Sequence, residues 1–343
     1  MRLHRDVLTP QLADYTKFDG RGDGVYQPYL MYFHQTDFRS PSINTDRAGF
    51  RFSHGPGGVT ASAAGPMPAG PVRVLSGSST VLGIGATSDA ATLTSRLWTE
   101  HAPSAPWLNF GGRCYNSTQE LLLFTLYRHL LPEIDEVVVF SGLNDLTVGR
   151  LPEWQQGDHG AFFFCGEYFE MMEELRARHR KAAKGGGRRP ARRQTIATHD
   201  DVRRDIPAVI ESAAELTLRH LDSWRLLAGP HARLTYVLQP MSLWMRDVHS
   251  REEKLLFDEI DQISKLGTWE ALYGDISTPE VSRAFGEKVE AGCEKRGIRF
   301  FDLNPVVADA ITSDDWIFVD RAHYTDKGND LVAKIMAETL ELN

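Results

Sequence analysis

Three places in this 343-residue chain gather side chains able to do acyl chemistry. The stretch VRVLSGSSTVLGIGA (Val72–Ala86) holds Ser76, Ser78 and Ser79 where an apolar run meets a turn. A serine hydroxyl becomes a nucleophile when a positioned base takes its proton. DRAHY (Asp320–Tyr324) offers such a base. An imidazole is the usual general base near neutral pH, and Asp320, three residues before His323 on a turn, can reach the ring and stabilise its charged form. SGLND (Ser141–Asp145) offers a donor, because the Asn144 amide is suited to stabilising an oxyanion and Gly142 permits a tight bend before it. Each segment also has a plain reading. DRAHY can be a surface turn leading into a helix capped by Thr325, and SGLND an ordinary Asn-Asp turn.

The elements around these segments set them on one edge of a fold. VRVLS (Val72–Ser76), WLNF (Trp107–Phe110), EVVVFSG (Glu136–Gly142), RLTYVLQP (Arg233–Pro240) and IRFFDL (Ile298–Leu303) read as short, β-branched or aromatic strands. DAATLTSRLWTEH (Asp89–His101) reads as a helix with Ser88 at its N-cap. STQELLLFTLYRHLL (Ser117–Leu131) reads as a helix opened by an S-x-x-E capping box. TDKGNDLVAKIMAETLEL (Thr325–Leu342) closes the chain as a helix. Strands alternating with helices predict a parallel sheet covered on both faces. Sites in such sheets lie beyond the carboxyl ends of the strands. SGSST, NFGGRCYNS, SGLND and DRAHY all fall there.

Together these pieces resemble the SGNH hydrolases, also called the GDSL esterase/lipase superfamily, over about Val72 to Leu342. The family's blocks occur in order. The usual G-D-S or G-G-S-T stands here as GSST (Gly77–Thr80), N-x-G-x-x-G-Y-x-S as NFGGRCYNS (Asn109–Ser117), G-x-N-D as GLND (Gly142–Asp145) and D-x-x-H as DRAHYTDKGN (Asp320–Asn329). The resemblance places Ser79 on the family serine, with Ser78 in the variable place before it. The start of a helical segment also favours Ser79, since N–H groups and the positive dipole end there support a developing anion. The G-x-S-x-G elbow of α/β-hydrolases is absent, because Val81 takes its last position.

The resemblance implies a flavodoxin-like three-layer α/β/α sandwich with a mainly parallel five-stranded sheet. It implies a serine esterase that cleaves an ester or other acyl bond of a small acylated molecule through an acyl-enzyme. Ser79, Asp320 and His323 would form the triad. The N–H groups of Ser79 and Cys114 and the Asn144 side chain would form the oxyanion hole. Cys114 departs from the family, which has glycine there; Gly111 or Gly112 could supply that donor instead. Gly142, Gln239 and Trp244 are candidates for substrate contact, although residues such as Trp244 and Met241 more often pack. The same triad serves an acyltransferase if the acceptor is not water, or a thioesterase in natural-product assembly, with a carrier-protein or acyl-ester donor.

The rest of the chain bounds these expectations. Residues 1–70 read as an extension wrapped on the core, with a short hairpin and with TASAAGPMPAGP (Thr60–Pro71) as a linker; His34 and His54 there read as turn or surface residues. Residues 71–343 form the main domain, with a helical insertion at about 150–228. Within it AFFFCGEYFEMM (Ala161–Met172) reads as a core helix rather than a lid, and a helix from Val202 to about Leu227 packs back on the core. RARHRKAAKGGGRRPARR (Arg176–Arg193) carries nine basic residues and no acids, and reads as a solvated loop or a docking patch for an acyl carrier protein. A net charge of −8 argues against nucleic acid as a partner. No apolar run of about 18 residues occurs, so no membrane span is expected. The N-terminus lacks the apolar stretch of a secretory signal. Cys114, Cys165 and Cys293 show no paired spacing, which speaks against a disulfide framework or a zinc site and for the cytoplasm. No metal or cofactor motif is present.

Overall fold

A computed structural model describes residues 3–19, 25–151, 155–163, 172–174, 176–177 and 205–342. In chain order its helices are α1 (His4–Leu8), α2 (Leu12–Asp19), α3 (Ser79–Leu82), α4 (Leu93–Arg96), α5 (Ser117–Tyr127), α6 (Leu143–Gly149), α7 (Ile206–Ala228), α8 (Ser242–Met245), α9 (Arg251–Ile263), α10 (Trp269–Tyr273), α11 (Pro279–Arg296), α12 (Leu303–Asp309) and α13 (Asp326–Leu340). Its strands are β1 (Val25–Gln27), β2 (Met31–Phe33), β3 (Ser53–His54), β4 (Thr60–Ala61), β5 (Val72–Gly77), β6 (Trp107–Gly111), β7 (Ile134–Ser141), β8 (Arg233–Leu238) and β9 (Arg299–Asp302).

The five strands expected from the sequence form one sheet in the order β6-β5-β7-β8-β9. Every pair in it is parallel. This is the 2-1-3-4-5 order of flavodoxin-like folds. β5 and β6 are buried along their whole length, as strands covered on both faces must be. α5, α7 and α11 pack together on one face, and α4, α12 and α13 on the other, giving three layers. Parallel pairing puts the ends of β5, β6, β7 and β8 on one edge. None of the helices among the described residues is long and apolar enough to cross a membrane.

Local signals held where no tertiary partner competed for them. Thr325 caps α13 by accepting the Gly328 N–H at 3.0 Å. Elsewhere a competitor won. The helix expected at Asp89–His101 is broken into a 3-10 turn, α4 and a π turn, and its cap is Thr92 rather than Ser88. The expected capping box of α5 is absent: Asn116 is the cap, Ser117 bonds Asp145, and Glu120 accepts from Ser141.

The stretch read as a linker is partly structured and buried. Thr60–Ala61 pairs with Ser53–His54, and Ser62, Ala63 and Ala64 are buried. Most of Ala161–Met172 and of the basic run lies outside the described residues. α7 covers the sheet as the sequence suggested, with Val209, Ile210, Ala213, Leu221 and Trp224 buried.

Arg51 ties the extension to the sheet domain through several bonds. Its side chain is wholly buried against Asp89, with Nε donating to Oδ1 at 2.7 Å. Its Nη1 donates to the carbonyls of Leu82 and Gly83, each at 2.9 Å, and its Nη2 to Ser42 O. Tyr15 adds its hydroxyl to Gly83 O and Ala86 O at 2.8 Å. These donors satisfy the carbonyl end of α3, a helix of four residues that is too short to stand alone. Replacing Arg51 with Leu strips that end and leaves Asp89 without its ion partner. The expected cost is about 3–5 kcal/mol, the usual penalty for breaking a buried pair. It should appear as a lower denaturant midpoint with an unchanged slope.

Candidate active site

β5 delivers the three serines to the sheet edge and separates them by exposure. Ser76 is fully buried within the strand, Ser78 is 4% exposed, and Ser79 is only half-buried. Gly77 is required by crowding: a Cβ there would lie 2.3 Å from the Phe140 carbonyl oxygen. Ser79 is the first residue of α3, so its N–H has no intrahelical acceptor. From β6, Asn109 holds α3 in place by donating to Val81 O at 2.7 Å.

The Asp320–His323 turn meets this serine from a distance of 244 residues along the chain. Asp320 Oδ1 accepts the N–H groups of Ala322 and His323, both at 2.8 Å, and Oδ2 accepts His323 Nδ1–H at 2.7 Å. That bond assigns the proton to Nδ1 and leaves the Nε2 lone pair to accept Ser79 Oγ–H at 2.7 Å. Burial pushes the Asp320 carboxyl up, but the imidazole charge and these N–H donors outweigh it and hold the group below the usual carboxylate range. The turn itself is anchored by Val319 N–H to His323 O at 2.9 Å and Tyr324 O–H to Pro240 O at 2.6 Å.

β7 brings Gly142 and Asn144 to the same edge. Gly142 has φ 147° and ψ −68°, a conformation open to glycine alone. Asn144 is half-buried and donates one amide N–H to Tyr115 O at 2.7 Å. An amide nitrogen carries two hydrogens, so a second remains to be directed. The loop after β6 supplies Cys114, half-buried and held at φ 55°. This is a left-handed conformation that costs a residue with a Cβ on the order of 1 kcal/mol. Gly111 and Gly112 do not offer alternative donors. Gly111 N–H is engaged by Asn109 Oδ1 at 2.9 Å, and Gly112 N–H by Gly77 O at 3.0 Å.

Gln239 and Trp244 are corrected from substrate contacts to packing residues. Both are 3% exposed, and the Trp244 indole N–H donates to Ile276 O at 3.0 Å. Gly142 lies against Trp244 and Leu238, so the indole supports the bend from behind. His34 is corrected as well: it is buried, not a surface residue, and burial pushes its pKa down to about 3. Its Nδ1 donates to Gly49 O at 3.1 Å and its Nε2 accepts the Arg113 N–H at 3.3 Å.

The sequence reading also missed a buried polar chain beneath the site. Ser117 Oγ–H donates to Asp145 Oδ1 at 2.6 Å and accepts His220 Nδ1–H at 2.9 Å. Burial holds His220 neutral, with a pKa near 4, and pushes Asp145 up to about 6 against the pull of Ser117. Burial and the Asp145 charge also raise Glu120 well above the ordinary carboxylate value. The Ser and Asp of the second and third blocks were visible in the sequence, but their histidine partner, 103 positions from Ser117, carried no local signal.

No protein-family model matches the chain, and no curated protein matches it. Among solved structures the chain is similar to a member of the lipolytic protein G-D-S-L family from Veillonella parvula. The identity is 12%, covering 79% of this chain and 99% of that one, with a TM-score of 0.41. It is similar to a carbohydrate acetylesterase from Sinorhizobium meliloti at 11% identity, covering 79% and 99%, with a TM-score of 0.43. It is also similar to a lipase/acylhydrolase from Enterococcus faecalis at 10% identity, covering 79% and 96%, with a TM-score of 0.44.

The raised Asp145 gives a pH prediction. A folded-state pKa near 6, against about 3.9 when unfolded, means that the folded protein holds this proton longer. The group's stabilising contribution is therefore full below about pH 4 and lost as pH rises through 6, by roughly 2–3 kcal/mol. Thermal melts of wild type and Asp145→Asn should diverge across that window, with wild type losing stability relative to the variant as pH rises. Parallel curves would contradict the raised pKa.

Proposed function

We propose that this chain is a serine esterase of the SGNH type, cleaving the acyl bond of a small ester through an acyl-enzyme on Ser79. The observation that carries the reading is the unbroken hydrogen-bond line from Asp320 through His323 to Ser79, with both links at 2.7 Å. Each member is in the state its role needs: a carboxylate kept ionised, an imidazole with its proton on the carboxylate side, and a hydroxyl pointing its proton at the free nitrogen.

In this reaction Ser79 Oγ attacks the acyl carbonyl carbon as its proton passes to His323 Nε2. The tetrahedral oxyanion is held by the N–H groups of Ser79 and Cys114 and by the Asn144 amide. Collapse breaks the carbon–oxygen bond to the leaving alcohol, which takes the proton from His323. Water then enters, gives a proton to the same nitrogen and attacks the ester on Ser79; collapse breaks the carbon–Oγ bond, Ser79 takes the proton back from His323, and the acid leaves. Preorganised donors of this kind each contribute about 2.7–4 kcal/mol in a comparable site. Acyl transfer to another acceptor uses the same steps. It has no observation of its own, because nearly all of the basic run that suggested a carrier partner lies outside the described residues.

Turnover of p-nitrophenyl acetate tests the reading. Ser79→Ala and His323→Ala should each lower kcat by on the order of 10⁶-fold, and Asp320→Asn by on the order of 10⁴-fold. Asn144→Ala should lower it by about 10²–10³-fold. Full turnover by folded Ser79→Ala would refute the proposal. Added alcohols and amines that divert product from acid to a new ester or amide would identify a transferase.

A further inference from the structure

The loop carrying Cys114 is held by the N-terminal extension on both sides of its critical peptide. The Arg113–Cys114 peptide, which bears the Cys114 N–H, is flanked by two peptides whose planes are fixed from outside. On one side, the Arg113 N–H of the Gly112–Arg113 peptide donates to His34 Nε2 at 3.3 Å. On the other, the Cys114 carbonyl of the Cys114–Tyr115 peptide accepts the Tyr32 hydroxyl at 3.2 Å. Tyr115 returns the contact by donating its own hydroxyl to Tyr32 O at 2.6 Å. Tyr32 lies in β2 and His34 directly follows it. One short stretch of chain, the strand and the residue after it, thus presents both groups to one loop.

The partners are chemically matched. His34 is buried and kept neutral, with Nδ1–H engaged by Gly49 O, so its Nε2 is an acceptor and not a second donor. Arg113 also pairs with Asp19 of α2, a further tie from the extension to this loop. The loop needs such ties. Cys114 sits at φ 55°, where a side chain with a Cβ is disfavoured, so the surrounding structure must over-determine its conformation.

We propose that Tyr32 and His34 are positioning residues for the oxyanion hole, fixing the orientation of the Cys114 N–H from a strand outside the sheet domain. This rests on the esterase reading, because that reading gives the Cys114 N–H its role. The extension is then part of the catalytic architecture: the peptide planes that Tyr32 and His34 hold on either side set where the Cys114 N–H points.

The test compares p-nitrophenyl acetate with its thiono counterpart, whose C=S sulfur is a poor acceptor for N–H donors. Tyr32→Phe removes one hydroxyl and keeps the ring. His34→Ala removes the acceptor, and His34→Gln restores one. Tyr32→Phe and His34→Ala should lower kcat for the oxygen ester by about 10–100-fold, the scale of loss from a small misplacement, with KM nearly unchanged. The thiono ester should lose far less, and His34→Gln should recover most of the oxygen-ester rate. Thermal melts establish that each variant is folded. Should His34→Ala fail to fold, Tyr32→Phe decides. A folded Tyr32→Phe with wild-type kcat, or with equal losses on both esters, overturns the inference. If Ser79→Ala abolishes turnover while Tyr32→Phe does not change it, only the positioning role fails. If Ser79→Ala keeps turnover, the esterase reading itself fails.

Discussion

Everything in the candidate site depends on one hydrogen bond, between Ser79 Oγ–H and His323 Nε2, and on the sheet edge that makes it possible. Its two partners come from the end of β5 and from a turn just before the last helix. A parallel sheet in the order β6-β5-β7-β8-β9 carries every strand's carboxyl end to one edge, so distant segments converge there without long excursions. The approach is close enough to dictate backbone chemistry. Gly77 has no room for a Cβ beside Phe140, and Gly142 adopts a bend no other residue accepts.

The extension does more than cover apolar surface. Arg51 and Tyr15 satisfy the carbonyl end of the short helix that begins at Ser79. Tyr32 and His34 bracket the Cys114 peptide. Both ends of the site's backbone thus lean on residues before position 52. Behind the edge, the buried His220–Ser117–Asp145 line and the Glu120–Ser141 bond anchor α5 to α6 and β7. Burial favours the protonated forms of these carboxyls, and for Glu120 the Asp145 charge adds to it, whereas Asp320 is kept ionised by the His323 charge and by the N–H groups it accepts. The difference lies in a neighbouring cation and in N–H donors that offset burial at Asp320 alone.

The five strands were legible because buried parallel strands are short apolar runs, and three of the four site segments because each ends such a strand; DRAHY instead lies on a turn before the last helix. Of the three serines at the end of β5, the one the sequence singled out is also the least buried: Ser76 and Ser78 are buried while Ser79 is half-buried. Caps were less so. Ser117 and Glu120 have the spacing of a capping box, yet both side chains turn to partners on β7 and α6. Trp244 and Gln239 follow a strand end, as site residues do, but their burial depends on α8 turning the chain inward. His34 and Tyr32 gave no signal, since their partners lie 79 and 82 positions away. Local pattern identifies the groups that emerge at the sheet edge; it does not identify the groups that brace them from across the chain.

The most direct test of the Ser79–His323 pairing is covalent. An alkyl fluorophosphonate reacts with a serine only where a base has activated it. Incubation followed by peptide mass spectrometry should place a single adduct on Ser79 in the wild-type protein and lose it in folded His323→Ala. An adduct on Ser76 or Ser78, or equal labelling of Ser79 when His323 is absent, would contradict the pairing on which the site is built.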